Sequence, residues 1–191
     1  NPSNDDVVAV PAGRIDARAG RAAYDYLVAA TRAALRGEID AVNALVYPNV
    51  NNGVYRAGFA TAQDVYEAAF RDVFSTLDQL EAKLADHRYL TGNQITEADW
   101  RLFTTIVRFD AVYHGHFKCN LRRIADYPNL TGWLRELYQF DGVAGTVNMD
   151  HIKRHYYRTH PTINPTRIVP AGPALDFSAP HGREAIGAPE E

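Results

Sequence analysis

The stretch that most constrains this chain is Gly92-Asn93-Gln94-Ile95-Thr96-Glu97-Ala98-Asp99-Trp100, a helix start that leads into the most apolar run of the sequence. With Thr96 as the N-cap, Asp99 falls at the third helical position, and the pair can form a shortened capping box that satisfies otherwise free backbone N–H groups. Ile95 and Trp100 occupy the places of a hydrophobic staple. Glu97 and Asp99 also put negative charge in the first turn, where the helix dipole favours it. Leu102, Phe103, Ile106, Val107 and Phe109 follow, an apolar surface too wide for a helix lying on a protein's exterior. The pattern predicts a central, buried helix in an all-α domain.

On either side the chain reads as helices and their breaks. Residues 1–20 are rich in Pro, Gly, Ala, Asp and Arg without an apolar period, which predicts a linker or loosely attached lead-in. Tyr24, Leu27, Val28, Thr31 and Leu35 recur at helical spacing and predict a helix over 21–35. Gly37 should interrupt it, and a short helix over 38–46 should stop at Pro48. Asn51-Asn52-Gly53 marks 49–59 as a loop, since that triplet favours positive φ. A long helix should start near Thr61, with Tyr66, Phe70, Val73, Leu77, Leu80 and Leu84 as one packed stripe. Helices are expected over 129–140, entered through Pro128, and over 148–157, burying Met149, Ile152 and Tyr156. Six prolines after His160 predict an extended tail over 161–191, which either wraps the domain or stays mobile. The helical domain itself is read as 21–160.

Composition removes several classes. A net charge of −3 gives no electrostatic reason to expect nucleic acid or an anionic membrane. No apolar run approaches the ~20 residues that span a bilayer, and the polar, acidic start does not resemble a signal peptide. A single cysteine, Cys119, rules out an internal disulfide framework and fits a reducing, cytoplasmic setting. The chain begins without methionine, which points to a fragment or trimmed protein.

Few residues suggest chemistry by type and spacing. Cys119 follows His114, His116 and Lys118, cations that would favour a thiolate, but nothing nearby supplies an orienting group, and a small core residue in a helix connection is the simpler reading. His151 and His155 share a helix face with His160 just beyond, a conceivable metal half-site; no carboxylate or thiolate completes the set, so no metal is expected and a solvated, basic helix end accounts for them. Asp99 and Asp110 share a face but lie about 16 Å apart along the axis, too far for one acid–base site; Asp110 is expected to pair with an arginine such as Arg108 or one from a neighbouring element. The 11 tyrosines are numerous, and Tyr55, Tyr113, Tyr156 and Tyr157 sit at breaks. A phenol stays protonated at neutral pH and can donate to a ligand oxygen while its ring packs; ordinary boundary tyrosines are the alternative.

The string Gly-x-x-Ile-Thr-x-Ala-Asp resembles the start of the buried core helix in the C-terminal domain of glutathione transferases. Further strings narrow the likeness: Asn51-Asn52-Gly53-Val54-Tyr55-Arg56-Ala57-Gly58-Phe59-Ala60, Arg108-Phe109-Asp110-Ala111-Val112-Tyr113, His116-Phe117-Lys118-Cys119-Asn120, Tyr127-Pro128-Asn129-Leu130 and His151-Ile152-Lys153-Arg154-His155-Tyr156-Tyr157. Together with Ile163-Asn164-Pro165 and Val169-Pro170-Ala171-Gly172-Pro173 in the tail, they resemble the C-terminal domain of glutathionyl-hydroquinone reductases, the Xi-class or Omega-like glutathione transferases, over roughly Glu38 to Pro173.

That resemblance implies a glutathione-transferase-type helical bundle that supplies the pocket for an aromatic hydroquinone conjugate. It implies a thioredoxin-like N-terminal domain that binds glutathione, the co-substrate, and carries the nucleophilic cysteine in a Cys-Pro-Trp turn. The cysteine attacks the glutathione sulfur of the conjugate, releases the hydroquinone, and is freed by a second glutathione through thiol–disulfide exchange. By motif the substrate-binding tyrosines correspond to Tyr55, Tyr113 and Tyr156, with Tyr157 a less certain neighbour; Thr96 and Asp99 are structural. A homodimer through this domain is implied as well. These 191 residues hold no Cys-Pro-Trp and no recognisable thioredoxin-like strand order, so the chain by itself is expected to be inactive. The alternative is a non-catalytic helical module of the same type, used for dimerisation or protein docking.

Overall fold

The computed structural model describes residues 33–187. The expected lead-in over 1–20, and the helix over 21–35 apart from its last three residues, lie outside that range. The chain divides into two compact units, Asn1–Arg36 and Gly37–Glu191. Of the first, only 33–36 are described, and they are helical.

The second unit is helical throughout its ordered elements. Helix α1 (37–46) runs into a π-helical turn, Tyr47–Asn51, followed by α2 (Gly53–Gly58) and the long α3 (Gln63–Asp86). Helix α4 (Glu97–Arg108) continues into a second π-helical turn, Phe109–Tyr113, and after the short 3-10 turn Ile124–Asp126 come α5 (Pro128–Gln139) and α6 (Met149–Thr159). Among the described residues there is no β-strand beyond a single bridge between Tyr89 and Gly92, and no helix is long and apolar enough to cross a membrane.

Helix α4 is the buried centre that its sequence predicts. Leu102, Phe103, Ile106 and Val107 are all in the core, and the Thr96–Asp99 capping box forms at its start. The Asp99 carboxylate does more than cap. It accepts from the Thr96 N–H at 2.9 Å and the Thr96 hydroxyl at 3.1 Å, from the Leu90 N–H at 3.0 Å, and from the Trp133 indole N–H at 3.1 Å. One side chain thus ties α4 to the preceding turn and to α5. On α3 the stripe residues Val73, Leu77, Leu80 and Leu84 are buried where the helix packs against α2 and α5, each contributing about 1.5–3 kcal/mol of transfer free energy. Leu130, Trp133, Leu134 and Leu137 face inward from α5.

Five local expectations are corrected. The chain does not break at Gly37, which is helical. Nor does Pro48 end the helix: α1 continues into a π-helical turn that contains it, closed by a hydrogen bond from the Asn52 N–H to the Tyr47 carbonyl at 2.9 Å. The Asn-Asn-Gly segment, expected as a loop over 49–59, is therefore helical, with Asn52 in the right-handed region; Val50, Val54 and Ala57 supply the buried face that holds it there. Finally, Asp110 does not pair with Arg108. Its carboxylate accepts the backbone N–H groups of Ile124 at 2.6 Å and Ala125 at 3.1 Å, capping the 3-10 turn, while Arg108 donates to the Thr104 carbonyl. In α6, Tyr156 is buried as expected, but Met149 and Ile152 are only half-buried.

Residues 161–187 form neither helix nor strand and run through a series of turns against the bundle. Gln139 donates to the Phe177 and Ala179 carbonyls, and Lys153 to those of Pro170 and Ala171. Arg183, only 2% exposed, is buried at the C-terminal end of α3, where it donates to the carbonyls of Leu84, His87 and Arg88 at 2.7–3.0 Å.

Candidate functional site

Two helices and the second π-helical turn bring three phenols to one point. Tyr55 projects from α2, Tyr113 closes the π-helical turn after α4, and Tyr156 comes from α6. The Tyr156 hydroxyl lies 2.5 Å from that of Tyr55 and 2.8 Å from that of Tyr113. The rings of Tyr113 and Tyr156 meet edge to face at 5.5 Å, and Phe117 stacks on Tyr113 at 5.4 Å and packs edge-on to Tyr55 at 5.2 Å.

Both π-helical turns flank the same cleft. An extra residue in a helical turn re-aims the side chains that follow it, and such turns recur at functional sites. Tyr47 and Asn51 from the first turn and Tyr113 from the second line a cleft of about 430 Å³, together with Arg101 and Arg108 from α4, a volume suited to a small molecule. Asn51 fastens the first turn to α4, its amide donating to the Arg101 carbonyl at 3.0 Å and the Thr105 hydroxyl at 2.5 Å. A larger open hollow, about 690 Å³, follows α3 past Phe70, Phe74 and Leu121. Its polar groups are already engaged, Asp78 with Arg122 and Tyr127 and Arg71 with Glu67. Convergent free polar groups single out the smaller cleft.

The triad's protonation follows from its burial. Tyr113 is 2% exposed, Tyr156 6% and Tyr55 38%. Burial, then the neighbouring phenol, pushes Tyr113 far above the ordinary tyrosine value, and burial pushes Tyr156 up to about 12. Tyr113 and Tyr156 are therefore neutral phenols at physiological pH. Three hydroxyl protons serve two hydrogen bonds, so one proton is always left over. A free donor at the Tyr113 end would be stranded in the core at a cost of about 1–3 kcal/mol. The favoured order is Tyr113 donating to Tyr156 and Tyr156 to Tyr55, which delivers the spare proton to the exposed end.

Other residues singled out in the sequence lie elsewhere. Tyr157 turns its hydroxyl to the Ala111 carbonyl at 3.3 Å and stays outside the triad. Cys119 is fully buried, its thiol pushed up to about 12 by that burial and its S–H directed weakly at the Phe117 carbonyl, the core placement its position suggests. His151 and His155 are exposed on α6. His160 bonds instead to His116, ring nitrogens 3.1 Å apart, and burial pushes His116 down to about 4. Among the described residues no group of three His, Cys, Asp or Glu side chains is placed to hold a metal. Sequence reasoning missed Tyr47, Asn51 and the cleft role of Arg108; Pro48 inside an otherwise helical segment was the signal for the first two.

Gly58 keeps the site closed from behind, because a Cβ there would fall within the Phe117 ring. Gly58→Ala is expected to cost about 1–3 kcal/mol through overpacking and to displace Phe117 from Tyr55 and Tyr113. Thermal melting and binding of a phenol to the cleft both read this out; a melt and an affinity equal to wild type would refute it.

The comparisons with known proteins agree with this architecture. The family pattern "Glutathione S-transferase, C-terminal domain" matches residues 63–136. Over 151 residues the chain is 58% identical to glutathionyl-hydroquinone reductase YqjG of Escherichia coli, covering 79% of this chain and 46% of that protein. Over 142 residues it is 60% identical to glutathionyl-hydroquinone reductase PcpF of Sphingobium chlorophenolicum, covering 74% and 45%. The glutathione-bound structure of Escherichia coli YqjG superposes with a TM-score of 0.78 over 80% of this chain and 49% of that one; a Xi-class transferase from Natrialba magadii, 54% identical, gives 0.76 over 77% and 45%. The chain thus spans about half the length of the curated relatives it matches. The chain carries a glutathione S-transferase C-terminal domain and is similar, in sequence and in fold, to the C-terminal half of Xi-class transferases and glutathionyl-hydroquinone reductases.

Proposed function

We propose that this chain is the substrate-binding half of a glutathione-dependent reductase that converts glutathionyl-hydroquinones to hydroquinones, and that Tyr55, Tyr113 and Tyr156 build the pocket for the aromatic ring. The observation that carries the reading is the convergence of three phenols on one cleft with a spare donor at its exposed end. A hydroquinone leaves with negative charge developing on its oxygens, and preorganised O–H donors stabilise that charge where it forms. Tyr55 holds the spare donor and is placed to reach the ligand. Tyr156, whose own O–H is engaged by Tyr55, orients it, and Tyr113, buried behind them, orients Tyr156.

The sulfur chemistry and most of the glutathione contacts belong to a thioredoxin-like domain. Cys119, buried and with a raised pKa, is no substitute for its nucleophile, so this chain alone is inactive. Tyr47 and Tyr55 remain 50% and 38% exposed at the cleft, a rim of aromatic surface that supports closure by such a domain. A homodimer belongs to the same reading, supported by the open apolar hollow along α3, as does a cytoplasmic setting in which glutathione and the single thiol stay reduced.

In the full-length protein, Tyr55→Phe and Tyr156→Phe are each expected to lower kcat/KM for a glutathionyl-hydroquinone about tenfold to a hundredfold, and Tyr113→Phe less. Unaltered kinetics in the triple Tyr→Phe variant would end the pocket assignment.

A further inference from the structure

Among the charged groups of the cleft, Arg108 stands apart. Arg101 is committed, 3.3 Å from Glu97 in an ion pair and with its guanidinium over the Tyr47 ring. Arg108 is half-buried and donates to the Thr104 carbonyl one turn back; among the described residues it has no carboxylate partner. Among the described residues no carboxylate lines the cleft either. A guanidinium has five N–H donors in a fixed fork, and most of this one's remain for something else. A partly desolvated cation without a counter-charge is unfavourable, and a bound anion relieves it.

We propose that Arg108 is the cationic partner of a quinol oxygen in this cleft, so that the aromatic ring is held there as its phenolate. The proposal rests on the aromatic-pocket reading above. Arg108 already acts on a phenol in the free protein: its charge opposes the burial that raises Tyr156. The groups facing the cleft are Tyr47 from the first π-helical turn, Tyr55 from α2, Arg101 with its Glu97 on α4, Tyr113 from the second π-helical turn and Tyr156 from α6, with the His155 and His160 rings packed against Tyr156. With Arg101 paired to Glu97, Arg108 is the cation of the cleft left without a counter-charge. A cation within hydrogen-bonding reach lowers the pKa of an acidic group by about one to three units. The ionising phenol O–H gives its proton to solvent; no other bond changes.

The test uses the full-length protein and two probes, 4-nitrophenol, whose ionisation is visible in its absorption spectrum, and its methyl ether 4-nitroanisole, which cannot ionise. Wild type is expected to lower the pKa of bound 4-nitrophenol by about one unit, binding the phenolate about tenfold more tightly than the phenol. Arg108→Gln should abolish that tenfold preference while leaving 4-nitroanisole affinity within about twofold, Arg108→Lys should keep part of it, and Arg101→Gln should leave it in place. A phenolate preference that survives Arg108→Gln, or equal binding of phenol and phenolate by wild type, overturns the Arg108 assignment alone. Failure of wild type to bind either probe overturns the aromatic-pocket reading and the assignment with it.

Discussion

Replacing Asp99 with alanine is expected to cost about 3–5 kcal/mol, the largest loss available from one polar side chain in this bundle. The carboxylate is fully buried and accepts four hydrogen bonds, two of them from buried donors, the Leu90 N–H and the Trp133 indole N–H. Alanine leaves both without a partner, at about 1–3 kcal/mol each, and removes the cap of α4 as well. For a chain of this size the midpoint of thermal unfolding should fall by about 10 °C. Thr96→Ala, which deletes only one hydroxyl of the capping box, should cost about 1 kcal/mol. Asp99→Asn should fall between the two, because its amide keeps one acceptor but turns an N–H₂ toward a backbone N–H. Comparable melts for Asp99→Ala and Thr96→Ala would show that the cap, and not the bridge to Leu90 and Trp133, is what matters.

Arg183→Met should cost nearly as much, about 3–4 kcal/mol, and should also free the tail. The last carbonyls of a helix have no partner within it. Here a residue roughly a hundred positions downstream supplies one, its guanidinium fork spanning the Leu84, His87 and Arg88 carbonyls, where the negative end of the α3 dipole also favours a cation. Its Nε lies 3.6 Å from Glu136, which Arg88 and the Tyr89 hydroxyl also hold, each at 2.7 Å. Lysine cannot reproduce the fork, so Arg183→Lys should recover little. Limited proteolysis supplies the second readout: the segment after Phe177 should be cut much faster in the variant. Gly132→Ala gives an independent route to the same state, because its Cβ would lie 2.7 Å from the His181 carbonyl and press the tail away. A tail equally resistant in all three variants would show that its attachment lies elsewhere.

Much of the bundle was legible because helices announce themselves locally. The Thr96–Asp99 start, the stripe from Val73 to Leu84 and the Pro128 entry of α5 each depend on spacing within one element, and each is found where the pattern places it. The likeness of the tyrosine motifs to those of known reductases pointed to Tyr55, Tyr113 and Tyr156. Composition alone could not, since a boundary tyrosine and a ligand-binding one have the same local signature.

The sequence by itself determined the all-α class and the buried position of α4, which follow from periodicity and capping, while the likeness to the transferase family rests on runs of neighbouring residues. Only the tertiary structure decided that Asn-Asn-Gly is helical, because burial of Val50, Val54 and Ala57 outweighs the turn preference of the triplet. It also decided that Asp110 caps a distant turn instead of pairing with Arg108, that Arg183 reaches back to the end of α3, and that the three phenols meet at hydroxyl distance. Hydrogen bonds between residues tens of positions apart leave no trace in local spacing. They form where packing of the apolar faces happens to bring their partners together, and that packing is a property of the whole bundle.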